Sequence, residues 1–73
     1  MEGKVFMEKN LETVLRQITR ELIARKMDKD TILAAINPPD TEKQAMRVLT
    51  WIQEHQEATP KEIVYKALEL CEE

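Results

Sequence analysis

The chain has 73 residues, of which 42% are hydrophobic, 34% charged and 4% aromatic, and its formal net charge is −3. A chain of this length forms one domain, and this composition is typical of soluble helical proteins and not of disordered or membrane proteins. The acidic balance makes nucleic acid and anionic membranes unfavourable partners, because both require a net basic face.

Compartment and redox chemistry can be inferred from the same sequence. No apolar run approaches the roughly 18 residues of a membrane-spanning helix, and residues 1–10 lack the apolar stretch of a signal peptide. We therefore expect a cytoplasmic protein with no membrane partner. Cys71 is the sole cysteine, which excludes an intrachain disulfide and any multi-cysteine zinc site.

Residues 1–8 have no usable periodicity and are predicted to form a flexible or docking N-terminal arm, ahead of a single helical domain over residues 9–73. The arm contains a short apolar cluster, Val5, Phe6 and Met7, and Phe6 is the chain's one phenylalanine. Docking of this cluster on the bundle or on a neighbouring chain is one interpretation. A free terminus with incidental apolar residues is the other.

The first helix is predicted from Lys9 or Asn10 to about Lys26, with Asn10 as a possible N-cap. Its apolar residues recur at helical spacing and form one seam: Leu11, Val14, Leu15, Ile18 and Leu22. Continuing this seam would bury Arg25, so the helix should end or leave the core there. Ile23 and Met27 fall outside the seam.

A brief second helix is predicted over residues 30–36, capped by Asp28 or Asp30. Its apolar residues are expected to hold it on the core: Ile32, Leu33 and Ile36. The prolines at positions 38 and 39 end this helix, because proline has no N–H donor and disfavours the α conformation in the residue before it.

The clearest helical pattern covers residues 41–57, TEKQAMRVLTWIQEHQE. One seam contains Ala45, Val48, Leu49 and Ile52. Met46 and Trp51 widen the apolar arc on opposite sides to roughly 220°, more than one helix–helix contact requires. The pattern therefore predicts the central helix of a small bundle. Its cap is either Thr41, in capping-box spacing with Gln44, or Asp40.

The last helix is predicted to begin at Pro60, because Thr59, Pro60 and Glu62 have the spacing of a capping box with proline at the first helical position. Its apolar face is predicted to contain Ile63, Val64, Ala67, Leu68, Leu70 and Cys71, and Tyr65 lies on the polar side. No strand pattern interrupts the chain. The predicted fold class is all-α, a small bundle of three main helices plus one short helix.

No group of residues predicts catalysis, a cofactor site or a metal site, so we expect a protein that is not an enzyme and needs no cofactor. Catalysis requires a nucleophile with a base, paired carboxylates in a pocket, or metal ligands at suitable spacing. His55 lies at the edge of an apolar arc, where a packed boundary side chain is favoured over a ligand or base. Cys71 lies mid-seam, the position of a small buried hydrophobe.

Residues 47–70, RVLTWIQEHQEATPKEIVYKALEL, resemble the opening of many bacterial winged-helix and helix-turn-helix DNA-binding domains: an apolar helix, a short polar turn and a Thr-capped helix. The resemblance implies DNA binding. In that family a recognition helix follows, whereas this chain continues with acidic residues to Glu73. If the last helix were itself the recognition helix, it would present Lys61, Tyr65 and Lys66 beside Glu62 and Glu69.

The leading hypothesis is a non-catalytic protein–protein interaction module, a small regulatory or adaptor protein of bacterial type that forms a homodimer. The alternative is a small DNA-binding regulator. Candidate interaction residues are those that one small core does not obviously absorb: Phe6, Ile23, Met27, Met46 and Tyr65. The net charge is +2 over residues 1–29 (7 basic, 5 acidic) and −5 over residues 30–73 (4 basic, 9 acidic). This asymmetry favours an antiparallel dimer, in which the first helix of one copy meets the acidic half of the other.

Overall fold

Four helices make up the fold: α1 (Glu2–Ala24), α2 (Lys29–Ile36), α3 (Glu42–Glu54) and α4 (Pro60–Cys71). The computed structural model describes residues 2–72, and of residues 2–9 it describes the backbone alone. Residues 2–72 contain no strand. The predicted all-α bundle with three longer helices and one short one is confirmed.

One face of each helix builds the core. The buried apolar residues are Val14, Ile18 and Leu22 of α1, Ala35 of α2, Ala45, Val48, Leu49 and Ile52 of α3, and Ile63 and Ala67 of α4. Every residue of the seam predicted for the central helix is therefore buried. α1 and α4 each pack against both α2 and α3, so these two helices together join the first and last helices.

The start of α1 differs from the prediction. The helix begins at Glu2, and a start at Lys9 or Asn10 is wrong because the residues before them are mostly good helix formers. Gly3 is tolerated since it lies in the first turn, where backbone N–H groups lack intrahelical partners in any case. The Phe6 side chain lies outside the described side chains, so a docking role for residues 1–8 stays a prediction.

α1 ends in a Schellman motif centred on Lys26. The Met27 amide donates to the Leu22 carbonyl at 3.0 Å and the Lys26 amide donates to the Ile23 carbonyl at 2.9 Å. Lys26 has φ of 62°, the left-handed conformation that this motif requires. The predicted end near Arg25 is confirmed. Met27, expected to lie off the core, instead packs against it, because the motif turns the chain back over Leu22.

Asp28 caps α2, and its carboxylate accepts from the Thr31 amide at 3.1 Å. Hydrogen bonding of this carboxylate to the Thr31 side chain, and then to the Thr31 amide, holds the pKa of Asp28 below its ordinary value. The buried residues of α2 are Thr31 and Ala35, while Leu33 is exposed. The expectation that Leu33 lies on the core is wrong, because it is about 200° around the helix from Thr31.

A side-chain hydrogen bond joins the antiparallel helices α3 and α4 at one end. Thr41 caps α3, and the Gln44 side chain accepts from the Asp40 amide at 2.8 Å and donates to the Cys71 carbonyl at 3.2 Å. Gln44 therefore joins the beginning of α3 to the end of α4. α3 itself ends at Glu54, three residues before the predicted end at residue 57.

The capping box at the start of α4 is confirmed. The Glu62 amide donates to the Thr59 hydroxyl at 3.2 Å, and the Thr59 amide donates to the Glu62 carboxylate at 2.9 Å. Pro60 occupies the first helical position. The five-residue loop between α3 and α4 therefore ends at Thr59, where the capping box determines the residue at which α4 begins.

Replacing Lys26 with glycine is expected to stabilise the protein by about 0.5–1 kcal/mol, because a side chain disfavours the left-handed conformation and glycine removes that cost. Urea unfolding at low protein concentration measures the change. Lys26→Ala is the matched control, since alanine loses the lysine charge but keeps a Cβ atom. Equal unfolding midpoints for the glycine and alanine variants would contradict the assignment of this motif.

Candidate interaction surface

The outward face of α3 carries a stripe of polar side chains: Lys43, Arg47, Thr50 and Glu54. At 100° per residue they fall within an arc of about 60°, opposite the buried seam. Together with Met46, Trp51 and Leu70 of α4, they line an open groove of about 420 Å³. We call this the α3 groove.

The walls of the α3 groove are apolar. Met46 on one edge is 42% exposed, and Trp51 and Leu70 on the other are half-buried against the core. His55 stacks on the Trp51 ring, with ring centroids 4.1 Å apart and planes inclined by 14°. The His55 Nδ1 atom lies 2.8 Å from the Trp51 carbonyl oxygen, which only accepts, so Nδ1 donates in this contact.

Arg25 holds the end of α3 from which this stacking pair projects. Its guanidinium donates to the Ile52 carbonyl at 2.6 Å and to the His55 carbonyl at 3.2 Å. The arginine side chain is only 12% exposed, and a Glu21 carboxylate oxygen lies 3.9 Å away. A cation at a helix C-terminus is stabilised by the last carbonyls and the helix dipole. Arg25 is therefore a cap that α1 supplies to α3.

The sequence did not reveal this cap. The seam of α1 indicated that Arg25 would reach the buried line, and the helix does end beside it. The partner carbonyls belong to residues 27 and 30 positions further along the chain. One feature of the sequence could have indicated the cap: Arg25 continues the apolar seam of α1 at the end of the helix. A buried arginine without hydrogen-bond acceptors would be costly, so a partner was to be expected.

A second apolar surface lies on α4. Tyr65 is 67% exposed and Leu68 is 50% exposed, and a shallow depression of about 320 Å³ is lined by Thr31, Pro60, Lys61, Val64, Tyr65 and Leu68. We call this the α4 ridge. Leu68 was predicted on the buried face of α4 and is instead half exposed, because the inward line of this helix runs through Ile63 and Ala67.

The candidate interaction residues are not brought together on one face. Met46 lines the α3 groove, Tyr65 lies on the α4 ridge, and Ile23 is exposed near the end of α1. Met27 packs against the protein's own core. The Phe6 side chain is not among those described. The candidate set missed the exposed Leu33 and Leu68 and the half-buried Trp51 and Leu70, which line the α3 groove.

The polar face of α4 bears on the DNA-binding alternative. Lys66 and Glu69 form an ion pair with a nitrogen–oxygen distance of 2.9 Å, and Glu62 is occupied by the capping box. Lys61 and Tyr65 are exposed near the helix start. A recognition helix needs a net basic surface to meet phosphates, and the charges on this face are mixed.

Cys71 is half-buried at the end of α4. Burial raises the pKa of the thiol, the Asp40 carboxylate raises it further, and Arg47 opposes both effects. The thiolate is the reactive form, so this environment lowers reactivity at neutral pH. Among residues 10–72, whose side chains the structure describes, no three His, Cys, Asp or Glu side chains come together as a group that could hold a metal ion.

Cys71 is expected to react with a thiol reagent at pH 7.5 at least about tenfold more slowly in folded than in urea-unfolded protein, because folding shields the sulfur and raises its pKa. Asp40→Asn should accelerate labelling of the folded protein by removing a nearby negative charge. Absorbance of the released leaving group gives both rates. Equal rates for folded and unfolded wild type would contradict the packing of Cys71.

None of the helices in the described part of the chain is long and apolar enough to cross a membrane. Compared with protein-family models, curated proteins and solved structures, the chain has no match.

Proposed function

We propose that this chain is a non-catalytic protein–protein interaction module of a small regulatory or adaptor type, and that it associates with a second copy of itself. The α3 groove is the observation that carries the proposal. Met46, Trp51 and Leu70 expose apolar surface beside charged residues on a helix whose opposite face already supplies the core. Tryptophan, methionine and arginine are the residue types enriched at protein interfaces.

The Trp51 side chain is already held in one conformation before a partner binds, and this also supports the proposed function. Its ring is held by the His55 stack and by packing against the core. A side chain that is already ordered loses little conformational entropy when a partner covers it, so more of the contact energy contributes to affinity. Met46 on the opposite edge is flexible and adapts to an irregular partner surface.

Chain size favours self-association as the form of this interaction. A short chain buries a small fraction of its apolar surface in its own core, and association buries more of it. Among the side chains that the structure describes, the remaining exposed large apolar ones are distributed over α1, α2 and α4: Ile23, Leu33, Tyr65 and Leu68. Further partners on these surfaces are compatible with an adaptor role.

Sedimentation velocity from about 10 μM to about 1 mM tests the proposal, because association depends on concentration by mass action. We expect the appearance of a species with about twice the mass of the 8.6 kDa chain. A protein that remains monomeric at about 1 mM would contradict self-association. Retention on heparin or duplex DNA that falls steeply with salt would instead support the DNA-binding alternative.

A further inference from the structure

The α3 groove has a charge order that is complementary to itself. Lys43 and Arg47 lie at the N-terminal end of the stripe, Glu54 lies at the C-terminal end, and Thr50 lies between them. When a second α3 is laid antiparallel over the first, Lys43 faces Glu54 of the second copy and Arg47 faces its Thr50. Both pairs are centred between Val48 and Leu49, as a two-fold axis requires.

We infer that two copies of this chain pair through their α3 grooves, with the two α3 helices antiparallel about that axis. The inference rests on the proposed self-association and assigns a face and a register to it. In a parallel arrangement, Lys43 would face Lys43, Arg47 would face Arg47 and Glu54 would face Glu54. Like charges in contact disfavour that arrangement, so the stripe favours the antiparallel orientation. The register given above is the one that keeps all four stripe residues within the contact.

The apolar edges fit the same geometry. Around a two-fold axis perpendicular to both helices, equivalent edges meet each other. Trp51 and Leu70 of one copy then lie along the same edge as their counterparts, and the two Met46 side chains lie along the opposite edge. The short Thr50 side chain in the middle leaves room for Arg47 of the second copy. Two apolar borders thus enclose a central row in which a Lys43–Glu54 pair at each end flanks the Arg47 and Thr50 side chains.

The size of the surface indicates a weak dimer. α3 has 13 residues, and one pair of helices of this length buries less than the about 1,200 Å² of a standard stable interface. Exposed ion pairs add little affinity and mainly determine orientation and register. The α4 ridge has no comparable order, because Lys61 is the one charged residue among those that line it.

Charge reversal tests the inference. Lys43→Glu places like charges at both symmetry-related pairs of the dimer, and Glu54→Lys does the same with the opposite sign. Each single variant is expected to dimerise roughly tenfold more weakly than wild type at low salt. The double variant restores opposite charges at both pairs, and its dissociation constant is expected to return to within about threefold of the wild-type value.

Mixing the two single variants gives the sharpest readout. In the mixed dimer, the new glutamate of the Lys43→Glu chain faces the new lysine of the Glu54→Lys chain. The unchanged Glu54 of the first chain faces the unchanged Lys43 of the second, so both pairs are opposite in charge. Sedimentation equilibrium of the mixture should therefore show more dimer than either variant alone at the same total concentration. Circular dichroism and the urea midpoint of each variant establish that it is folded, as expected for exposed positions.

A matched apolar pair provides the control. Met46→Arg, inside the α3 groove, should weaken dimerisation, whereas Ile23→Arg, at an exposed position outside it, should not. If wild type dimerises and both charge reversals leave its dissociation constant unchanged, the α3 pairing is overturned while self-association stands. Loss of dimer in Phe6→Ser under those conditions would assign the interface to the N-terminal segment. A monomeric wild type would contradict the proposed function itself.

Discussion

The contact between Arg25 and the end of α3 is the interaction on which the rest of the bundle depends. It brings a nearly buried guanidinium from α1 to the Ile52 and His55 carbonyls. The Arg25 Nε atom is buried and has no hydrogen-bond partner among the described residues. Burying a cation in this way is favourable only where several acceptors and a helix dipole compensate the lost hydration. Arg25 therefore stabilises one arrangement of α1 and α3.

The cap also orders the loop between α3 and α4. His55, whose carbonyl accepts from Arg25, also accepts from the Ala58 amide at 3.1 Å and stacks on Trp51. The next residue, Thr59, begins the capping box of α4, and the far end of α4 is held to Gln44. A chain of contacts thus runs from the end of α1, through the loop, to the start of α4, while Gln44 holds the other end of α4 to the start of α3. The Trp51 wall of the α3 groove is part of this chain.

Much of the fold could be predicted because its signals are local. The seam of α3, the end of α1 and the capping box of α4 each depend on residues within a few positions of one another. The packing of α2 could be predicted only in part, since Ile32 and Ile36 do pack against the core as expected. Sequence reasoning placed the larger Leu33 inside, whereas Thr31 and Ala35 are buried. Which side chains of this short helix are buried depends on how it lies against α1 and α4, and this is known only from the tertiary arrangement.

The candidate surface was predicted less completely for the same reason. Met46 and Tyr65 are surface residues as expected, but the groove also requires Leu70 from another helix and a Trp51 ring fixed by His55. Lys43, Arg47, Thr50 and Glu54 form a plain solvent-facing stripe in the sequence. Their significance comes from the apolar walls on either side, which are known only once α3 and α4 are placed together.

The free energy of unfolding of Arg25→Met, measured by urea titration at low protein concentration, tests the role of Arg25 most directly. Methionine keeps an apolar stem but cannot donate to the Ile52 and His55 carbonyls. Hydrogen bonds from a charged group contribute about 1.5–3 kcal/mol, so we predict a loss of about 2 kcal/mol. Arg16→Met, at a side chain that is 72% exposed, should change stability by less than about 0.5 kcal/mol. Equal losses in the two variants would contradict the account.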